Sequence, residues 1–364
     1  MPSPSTALLT VDLDALAHNL GVLRAHAGEA EVAAVVKGDG YGLGVGPVAR
    51  RLHREGVRSF FVARLAEGVA LRGELGRAQP ARIHVLDGLA PGAEAAVEEA
   101  GLTPVLCTRA QVEAAGAAAR AGGRPFDVAL QIDTGMHRQG LTPDEAMALA
   151  AAPGKLDGLS IGLVMSHLGC AAMPGHPRNG AQLARFDQVR ALFPQARASL
   201  AASAGTFLGQ AYRFDLVRPG ISLYGGGPFE RPDPRFLAVA TLQAPLLDIR
   251  QVPAGELVSY GDGVRLAAPT RLGIVGAGYA DGVIRAAKGA GHAWLDGAPR
   301  RLVMVNMDVL AIDLGDGRAQ VGDLVEILGR GALLDDLALA AGSVPHEVLA
   351  RLSARAERRY LGGD

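Results

Sequence analysis

Five polar side chains stand at or just beyond the ends of short apolar segments. They are one lysine, one histidine, one serine and two arginines: Lys37, His167, Ser203, Arg138 and Arg218. A lysine amine in an apolar setting can act as a nucleophile, because desolvation lowers its pKa. An arginine can bind a carboxylate or a phosphate. If the segments are strands of one parallel barrel, these five side chains lie around a common rim.

Lys37 has the clearest chemical potential of the five. It directly follows the apolar run 32–36, so it would emerge into an apolar barrel mouth. A lysine that extends from a strand end into solvent gives the same pattern, and spacing alone favours that plainer interpretation. Arg138 leaves a similar choice between a carboxylate clamp and a solvated loop arginine.

Two backbone segments near these residues could lie against a ligand. Arg218-Pro219-Gly220 could hold an anion through the N–H groups of Gly220 and Ile221, or it could be a plain turn. Residues 38–46 are rich in glycine but match neither the G-x-G-x-x-G dinucleotide pattern nor a P-loop. No histidine or cysteine spacing matches a metal site, so no metal is expected.

Eight apolar segments alternate with helical stretches in the first part of the chain. They lack strict alternation, as parallel strands buried on both faces do. Leu13, Leu16, Leu20 and Leu23, with Asp12 as an N-cap, mark the first helix. This order predicts a (β/α)8 barrel with its functional residues at the C-terminal strand ends, although an open doubly wound sheet gives a similar pattern. The eight segments are Glu31–Lys37, Ser59–Leu65, Arg82–Leu86, Pro104–Cys107, Asp127–Asp133, Ser160–His167, Ala198–Ser203 and Phe214–Arg218.

Apolar segments follow one another with little helix between them in the last third of the chain, which predicts a mostly antiparallel β domain. A Pro- and Gly-rich linker at 226–234 places the domains at 1–231 and 232–364, and residues 1–11 are candidates to pair with the β domain. The tail from Leu333 to Tyr360 has helical composition. The β segments are Leu237–Pro245, Ala254–Tyr260, Arg271–Gly276, Arg300–Asp313 and Gly322–Leu328.

Composition excludes several classes of protein. The 364 residues carry a formal net charge of −1, which gives no broad attraction to nucleic acid or to an anionic membrane. Two cysteines cannot make a disulfide framework, which favours a reducing compartment. No apolar run approaches the roughly 20 residues of a membrane span, and the start lacks the pattern of a signal peptide. We therefore expect a cytoplasmic protein.

Seven short motifs, taken in order, resemble the alanine racemase family over nearly the whole chain. The resemblance implies a pyridoxal-phosphate-binding barrel, a C-terminal β domain and a head-to-tail homodimer that acts on an amino acid. The motifs are Val35-Val36-Lys37-Gly38-Asp39-Gly40-Tyr41-Gly42, Asp133-Thr134-Gly135-Met136-His137-Arg138, Ser166-His167, Phe214-Asp215-Leu216-Val217-Arg218-Pro219-Gly220-Ile221, Ser259-Tyr260-Gly261, Gly278-Tyr279-Ala280-Asp281-Gly282 and Met307-Asp308.

The same resemblance implies a role for each matching residue. Lys37 would carry the cofactor as a Schiff base and, with Tyr260 from the partner subunit, act as one of two catalytic bases on opposite faces of Cα. Substrate binding would fall to a second group: Arg138, Met307, Asp308 and Tyr279. Besides Lys37, the cofactor would be held by Tyr41, His167, Ser203, Arg218, Gly220 and Ile221, of which Arg218 would bond the pyridine nitrogen and His167 would support Arg218 and Tyr260.

Several positions depart from the family pattern. Gln131 stands where some members carry a carbamylated lysine, so neutral hydrogen bonds to Arg138 would have to replace the carbamate. Ala202 replaces an asparagine, Asn306 a serine or cysteine, and Ala354 a tyrosine near the C-terminus. Gly38-Asp39-Gly40 stands where Ala-Asn/Asp-Ala is usual.

These departures leave alternatives to an alanine racemase. Changes around the pocket also suit a racemase for a larger or polar amino acid such as serine. A non-catalytic pyridoxal-phosphate carrier on the same barrel usually lacks the β domain, which is present here. A basic-amino-acid decarboxylase shares mainly the region around the lysine.

Overall fold

The computed structural model describes residues 7–77, 81–261 and 263–363, which form two compact units. The described residues of one unit are 20–40, 44–77 and 81–223. Those of the other are 7–19, 41–43, 224–261 and 263–363. The two units interleave along the sequence, and the domain boundary between residues 231 and 232 stays a prediction.

Parallel strands form the first unit, each at one of the eight segments that the sequence indicates. Seven of them form one sheet in the order β3-β4-β5-β6-β7-β8-β9, and β10 pairs with β2. With numbering along the chain, these strands are β2 (Glu31–Val32), β3 (Ala34–Val35), β4 (Ser59–Val62), β5 (Arg82–Val85), β6 (Thr103–Leu106), β7 (Phe126–Gln131), β8 (Leu159–Met165), β9 (Arg197–Ser199) and β10 (Leu216–Val217).

Hydrogen bonds at β10 join β9, the last strand of this sheet, to β2, which directly precedes its first strand β3. The Arg218 N–H donates to the Ala201 carbonyl at 2.9 Å, beyond the end of β9. On its other side β10 runs parallel to β2, with Leu216 opposite Glu31. The strands therefore close into the predicted (β/α)8 barrel. Helices lie between them at Val45–Arg54, Leu65–Leu75, Glu94–Glu99, Arg109–Gly122, Pro143–Ala151 and Pro177–Arg190, and the helix Leu13–Ala27 precedes them.

Buried side chains from successive strands make one apolar cluster in this unit. Burial of such side chains stabilises the barrel by about 25 cal/mol per Å² of apolar surface removed from water. It also fixes the strand register, so that the residues that follow each strand emerge at one end. The cluster contains Ala33, Phe61, Val105, Ala129, Leu163, Met165 and Leu216.

Antiparallel strands make up most of the second unit, as the sequence predicts. Six of them close into a ring, β11-β14-β17-β16-β15-β18, because β11 pairs with both β14 and β18. A separate hairpin joins β12 and β13. The strands are β11 (Ala240–Val252), β12 (Leu257–Val258), β13 (Val264–Arg265), β14 (Thr270–Val275), β15 (His292–Leu295), β16 (Ala298–Val305), β17 (Leu310–Asp313) and β18 (Leu324–Leu328).

Two further strands extend this sheet at β11. The N-terminal β1 (Leu8–Asp12) runs antiparallel to β11 and parallel to β19 (Glu357–Leu361). Residues 1–6, part of the segment predicted to pair here, lie outside the described residues. In the described parts of the chain no helix is long and apolar enough to cross a membrane.

The helical prediction for the tail is wrong at its end. Residues Leu334–Ala340 and Pro345–Ala350 are helices, but Glu357–Leu361 is a strand. The composition of that strand misleads because its side chains alternate between exposed and half-buried and are mostly charged. Pairing with β1 decides the conformation, and such a long-range partner leaves no local signal.

Candidate active site

Lys37 emerges from the barrel directly after the short strand β3. The Val36 N–H donates to the Phe61 carbonyl at 2.9 Å, and the Gly38 N–H donates to Glu67 Oε1 at 2.8 Å. These bonds fix the backbone on both sides of the lysine. Solvent reaches the side chain, yet desolvation by the surrounding protein, together with the charge of Arg138, lowers the pKa of the Lys37 amine. A lower pKa increases the fraction of neutral amine, which is the form that can act as a nucleophile.

A left-handed helical turn follows the lysine. Gly38, Asp39 and Gly40 have φ values of 64°, 55° and 63°, and Tyr41 continues at 57°. Left-handed backbone costs an L-residue about 1–2 kcal/mol, and glycine escapes that cost. The two glycines therefore make this turn easier to form than alanines would, and the Asp39 carboxylate adds a bond from the Val45 N–H at 2.8 Å.

Arg138 lies at the end of a loop that the Asp133 carboxylate organises. Asp133 Oδ1 accepts the N–H groups of Gly135, Met136 and His137 at 2.9, 2.8 and 3.1 Å. Burial would raise the pKa of Asp133, but these three backbone bonds outweigh it and hold that pKa below its usual range. The carboxylate therefore remains charged and keeps the loop shape.

The guanidinium of Arg138 is available to a ligand. Among the described residues it makes neither a hydrogen bond nor an ion pair, and its charge acts on Lys37. The neutral bond expected from Gln131 is not found, since the Gln131 side-chain amide donates to the Ile132 carbonyl at 3.4 Å. A free guanidinium beside a nucleophilic amine suits an amino acid, whose carboxylate would bind the arginine.

A buried polar network connects the loops after β7 and β8. Thr134 Oγ1 and Ser166 Oγ lie 2.7 Å apart. The Gln182 amide donates to Thr134 Oγ1 at 3.3 Å and to the His167 carbonyl at 2.9 Å. The network fixes the backbone at His167, while the role predicted for the His167 ring stays a prediction.

Arg218 is a buried cation inside the barrel mouth. Its guanidinium donates to the Ser166 carbonyl at 2.5 Å and to Ser199 Oγ, and it lies over the Phe61 ring. No carboxylate pairs with it in the parts of the chain that the structure describes. Burial lowers the pKa of Arg218 to about 9, which still leaves it protonated at neutral pH. These two hydrogen bonds use only part of the guanidinium, so its remaining N–H groups can donate to an acceptor from outside the chain.

The turn after Arg218 is bonded to Ser203 of a neighbouring loop. Ser203 Oγ accepts the N–H groups of Gly220 and Ser222 at 3.0 and 3.3 Å, and a 3₁₀ turn begins at Ile221. Ser222 is fully buried, yet its Oγ has no hydrogen-bond partner among the described residues. A buried hydroxyl without a partner is costly unless a ligand or a water completes it. Sequence reasoning missed Ser222, although its place directly after Ile221 could have suggested it.

The remaining predicted residues belong to the second unit. Tyr41 is buried and stacks on Tyr224 with ring centroids 4.6 Å apart, and burial raises the pKa of its hydroxyl, so that it stays a neutral donor. The other four line one cleft with a volume of about 870 Å³. They are Tyr260, Tyr279, Met307 and Asp308.

Backbone and ion-pair contacts hold this cleft together. The N–H groups of Tyr279 and Ala280 donate to the carbonyls of Asn306 and Met307 at 2.9 and 3.0 Å. Arg355, which the sequence did not single out, donates to Asp308 at 2.6 Å. The Tyr260 side chain itself is 85% exposed, far more than a residue that a pocket of its own chain encloses.

Known protein sequences match this chain across both units. Sequence models described as the N-terminal and C-terminal domains of alanine racemase match residues 11–228 and 239–360. A catabolic alanine racemase of Mesorhizobium japonicum is 43% identical over 98% of this chain and 94% of that protein. A biosynthetic alanine racemase of Agrobacterium fabrum is 40% identical over 98% of this chain and 94% of its own.

The fold is also similar to that of solved alanine racemase structures. A crystal structure of alanine racemase from Bartonella henselae with covalently bound pyridoxal phosphate superposes with a TM-score of 0.92 at 34% identity, covering 98% of this chain and 100% of that one. A barrel with a lysine at its mouth, followed by this β unit, defines a pyridoxal-phosphate-dependent isomerase. The chain belongs to the alanine racemase family.

The residues present fit pyridoxal phosphate. Lys37 offers an amine of lowered pKa for a covalent bond to an aldehyde. Arg218 offers a buried N–H donor without a carboxylate partner, which suits a neutral pyridine nitrogen. The unpartnered Ser222 hydroxyl beside the Ser203 turn suits a phosphate oxygen. Three independent features of the barrel therefore match three parts of one molecule.

Proposed function

We propose that the protein interconverts L- and D-alanine by a two-base mechanism, with Lys37 and Tyr260 on opposite faces of Cα. The observation that carries the proposal is the position of Lys37 at the barrel mouth, directly after β3 and between two fixed backbone groups, where desolvation and the charge of Arg138 lower the pKa of its amine. The names of the relatives support alanine as the substrate, since they cover nearly the whole chain. The match to the C-terminal family model disfavours a carrier without the β domain.

Arg138 and the second unit would hold the substrate. The Arg138 guanidinium would bind the substrate carboxylate, and the Met307 backbone of the partner subunit would add a donor. Asp308 and Tyr279 would line the approach to the pocket. Holding the carboxylate in this way orients the Cα–H bond towards a base, which contributes more to rate than binding alone.

Barrel residues, together with Tyr41 of the second unit, would hold the cofactor at three points. Ser203, Gly220, Ile221 and Tyr41 would bind its phosphate, and Ser222 joins this group on the basis of its buried hydroxyl. Arg218 would donate to the pyridine nitrogen and, because it retains its own proton, would leave that nitrogen unprotonated. When bound, pyridoxal phosphate acidifies the Cα–H bond by delocalising the electron pair left on carbon.

Two bases then suffice for racemisation. Lys37 Nζ would take a proton from one face of Cα or return one to it, and Tyr260 Oη would do the same on the other face. A single base would have to reach both faces of Cα, which is geometrically awkward. General acid–base catalysis of this kind contributes about 10²- to 10⁴-fold.

The active site would be shared in a homodimer. The high exposure of Tyr260, Tyr279 and Met307 in one chain supports this, because large apolar side chains grouped in one exposed cleft mark an interaction surface. The partner's barrel would cover them. The formal net charge of −1 supports the expectation that no nucleic acid takes part.

The physiological direction would depend on supply. Enantiomers have equal free energies, so the enzyme drives alanine towards equal amounts of both forms from either side. A cytoplasmic enzyme of this kind would provide D-alanine for the cell wall or consume it, and similar relatives carry both biosynthetic and catabolic names.

Racemisation of alanine by the holoenzyme tests the proposal. We expect solutions of L-alanine and of D-alanine each to lose their optical rotation. The value of kcat/KM should be the same for the two enantiomers. Lys37→Ala should abolish this activity and the cofactor absorbance, whereas Lys155→Ala, which removes a surface lysine paired with Glu113, should change neither. Racemisation by Lys37→Ala would contradict the assignment.

A further inference from the structure

Tyr260 lies at the tip of the β12–β13 hairpin, where the backbone is unusual. Ser259 has φ of 83° and Gly261 has φ of 56°. Glycine adopts positive φ freely, but serine does so at a cost. Such a conformation persists only where its surroundings hold it in place. The residue directly before the proposed base is therefore in a state that something must stabilise.

The Ser259 side chain makes one hydrogen bond among the described residues, to Asn306. Asn306 Oδ1 accepts this hydrogen bond from Ser259 Oγ at 2.8 Å. In the described parts of the chain, no other hydrogen bond links residues 259–261 to the rest of the protein. Val258 and Val264 pack the base of the hairpin against an apolar cluster, but this packing lies below the tip.

The backbone of Asn306 is itself well fixed. Its N–H donates to the Val309 carbonyl at 2.9 Å, and its carbonyl accepts the Tyr279 N–H at the same distance. The side-chain amide also donates to Met304 Sδ at 3.5 Å, which orients Oδ1 towards Ser259. Asn306 thus connects the three segments of the cleft that carry Tyr260, Tyr279 and Met307.

We propose that Asn306 is a positioning residue for Tyr260. By holding Ser259 at positive φ, it fixes the direction in which Tyr260 Oη meets Cα. The inference rests on the proposed function, in which Tyr260 is one of the two bases. Asn306 contacts neither cofactor nor substrate in this account and acts only through Ser259.

Removal of the bond tests the proposal in the holoenzyme. Asn306→Ala keeps the backbone bonds to Tyr279 and Val309 and removes the acceptor for Ser259, together with the weak donation to Met304 Sδ. We expect kcat to fall about tenfold or more, because small displacements of a catalytic group cost up to about 10²-fold. KM should stay within about twofold. Ser259→Ala should act alike, and the double variant should be no slower than either single variant.

Asn306→Asp is the conservative control. Its carboxylate still accepts the Ser259 hydroxyl, so kcat should recover, while the added negative charge beside Met307 should raise KM for the substrate carboxylate. A kcat as low as that of Asn306→Ala would overturn the proposal, as would independent losses that multiply in the double variant.

A kinetic isotope effect separates positioning from a general structural role. With Cα-deuterated alanine, Asn306→Ala should increase the primary isotope effect for one enantiomer only, the one whose Cα–H faces Tyr260. Equal increases for both, or a loss of cofactor absorbance, would show a structural role and overturn the proposal. Tyr260→Phe is the reference: if it racemises normally, the proposed function itself fails, whatever Asn306 does.

Discussion

The protein environment lowers the pKa of two cationic side chains, Lys37 and Arg218, with different consequences. Desolvation lowers the pKa of both groups. Lysine begins at 10.5, so a decrease brings its neutral form towards the working range of pH. Arginine begins at 12.5 and, at about 9, still retains its proton. One group thus becomes available as a nucleophile and base, whereas the other remains a fixed donor.

Selective modification of the lysines tests this difference at the scale of single residues. The chain has three lysines, Lys37, Lys155 and Lys288. In cofactor-free protein, brief exposure to pyridoxal phosphate followed by borohydride should label Lys37 above all. The lowered pKa gives Lys37 more neutral amine at neutral pH, so its advantage should shrink as the pH rises towards 10.5. Peptide mapping by mass spectrometry gives the distribution, and equal labelling of all three at neutral pH would refute the lowered pKa.

The turn after Lys37 shows how an element positions a functional residue. A continuous left-handed turn is rare in proteins of L-residues, and here the two glycines relieve its strain at residues 38 and 40. The turn directly after Val36 ends the strand, so that Lys37 stays at the barrel mouth. The chain changes direction at Tyr41. Alanines at residues 38 and 40 would make the same turn at a higher conformational cost.

Two alanine substitutions measure that cost. Gly38→Ala should lower the free energy of unfolding by about 1–2 kcal/mol through the left-handed backbone alone, because open space surrounds its new Cβ. Gly40→Ala should cost more, since its Cβ would lie 3.3 Å from Val45 Cα. Urea unfolding of the cofactor-free protein provides the measurement. Unchanged stability in both variants would show that the turn is not strained.

At the scale of the whole molecule, the proposed residues divide between two units. The barrel carries Lys37, Arg138 and Arg218, and the second unit carries Tyr260 in an exposed cleft. A homodimer with shared sites would bring Tyr260 of one subunit to Lys37 of the other. Such a closed twofold assembly makes two equivalent sites, each incomplete in a single chain.

Mixing two inactive variants tests the shared site. Lys37→Ala and Tyr260→Phe are each expected to be inactive alone. After dissociation and reassociation of an equal mixture, half of the dimers are hybrids, and each hybrid has one intact site, so about a quarter of the wild-type activity should return. No activity from the mixture, with hybrid dimers shown by mass spectrometry, would show that each site lies within one chain.

The fold was largely predictable from sequence, for a clear physical reason. Buried parallel strands leave continuous apolar segments, and all eight segments contain strands of the barrel. The strand Glu357–Leu361 was not predictable, because its conformation depends on β1 at the opposite end of the chain.

The candidate site was predictable only in part. Lys37 and Arg218 stand out because they end apolar segments, which is a local signal. Neither the Ser259–Asn306 bond nor the Arg355–Asp308 pair leaves such a signal, since each joins residues 47 positions apart. The position of Ser222 after Ile221 is a local signal, but the missing partner of its hydroxyl is a feature of the folded structure alone.

Hydrogen exchange at Cα tests the two-base account most directly. Wild type and Tyr260→Phe, both loaded with pyridoxal phosphate, would be incubated with L- or D-alanine in heavy water and followed by NMR. The account predicts that the wild type introduces deuterium with inversion from both enantiomers. Tyr260→Phe should exchange only the enantiomer whose Cα–H faces Lys37, with retention and little inversion. Inversion at a near-normal rate, or exchange of both enantiomers alike, would contradict the assignment of Tyr260 as the second base.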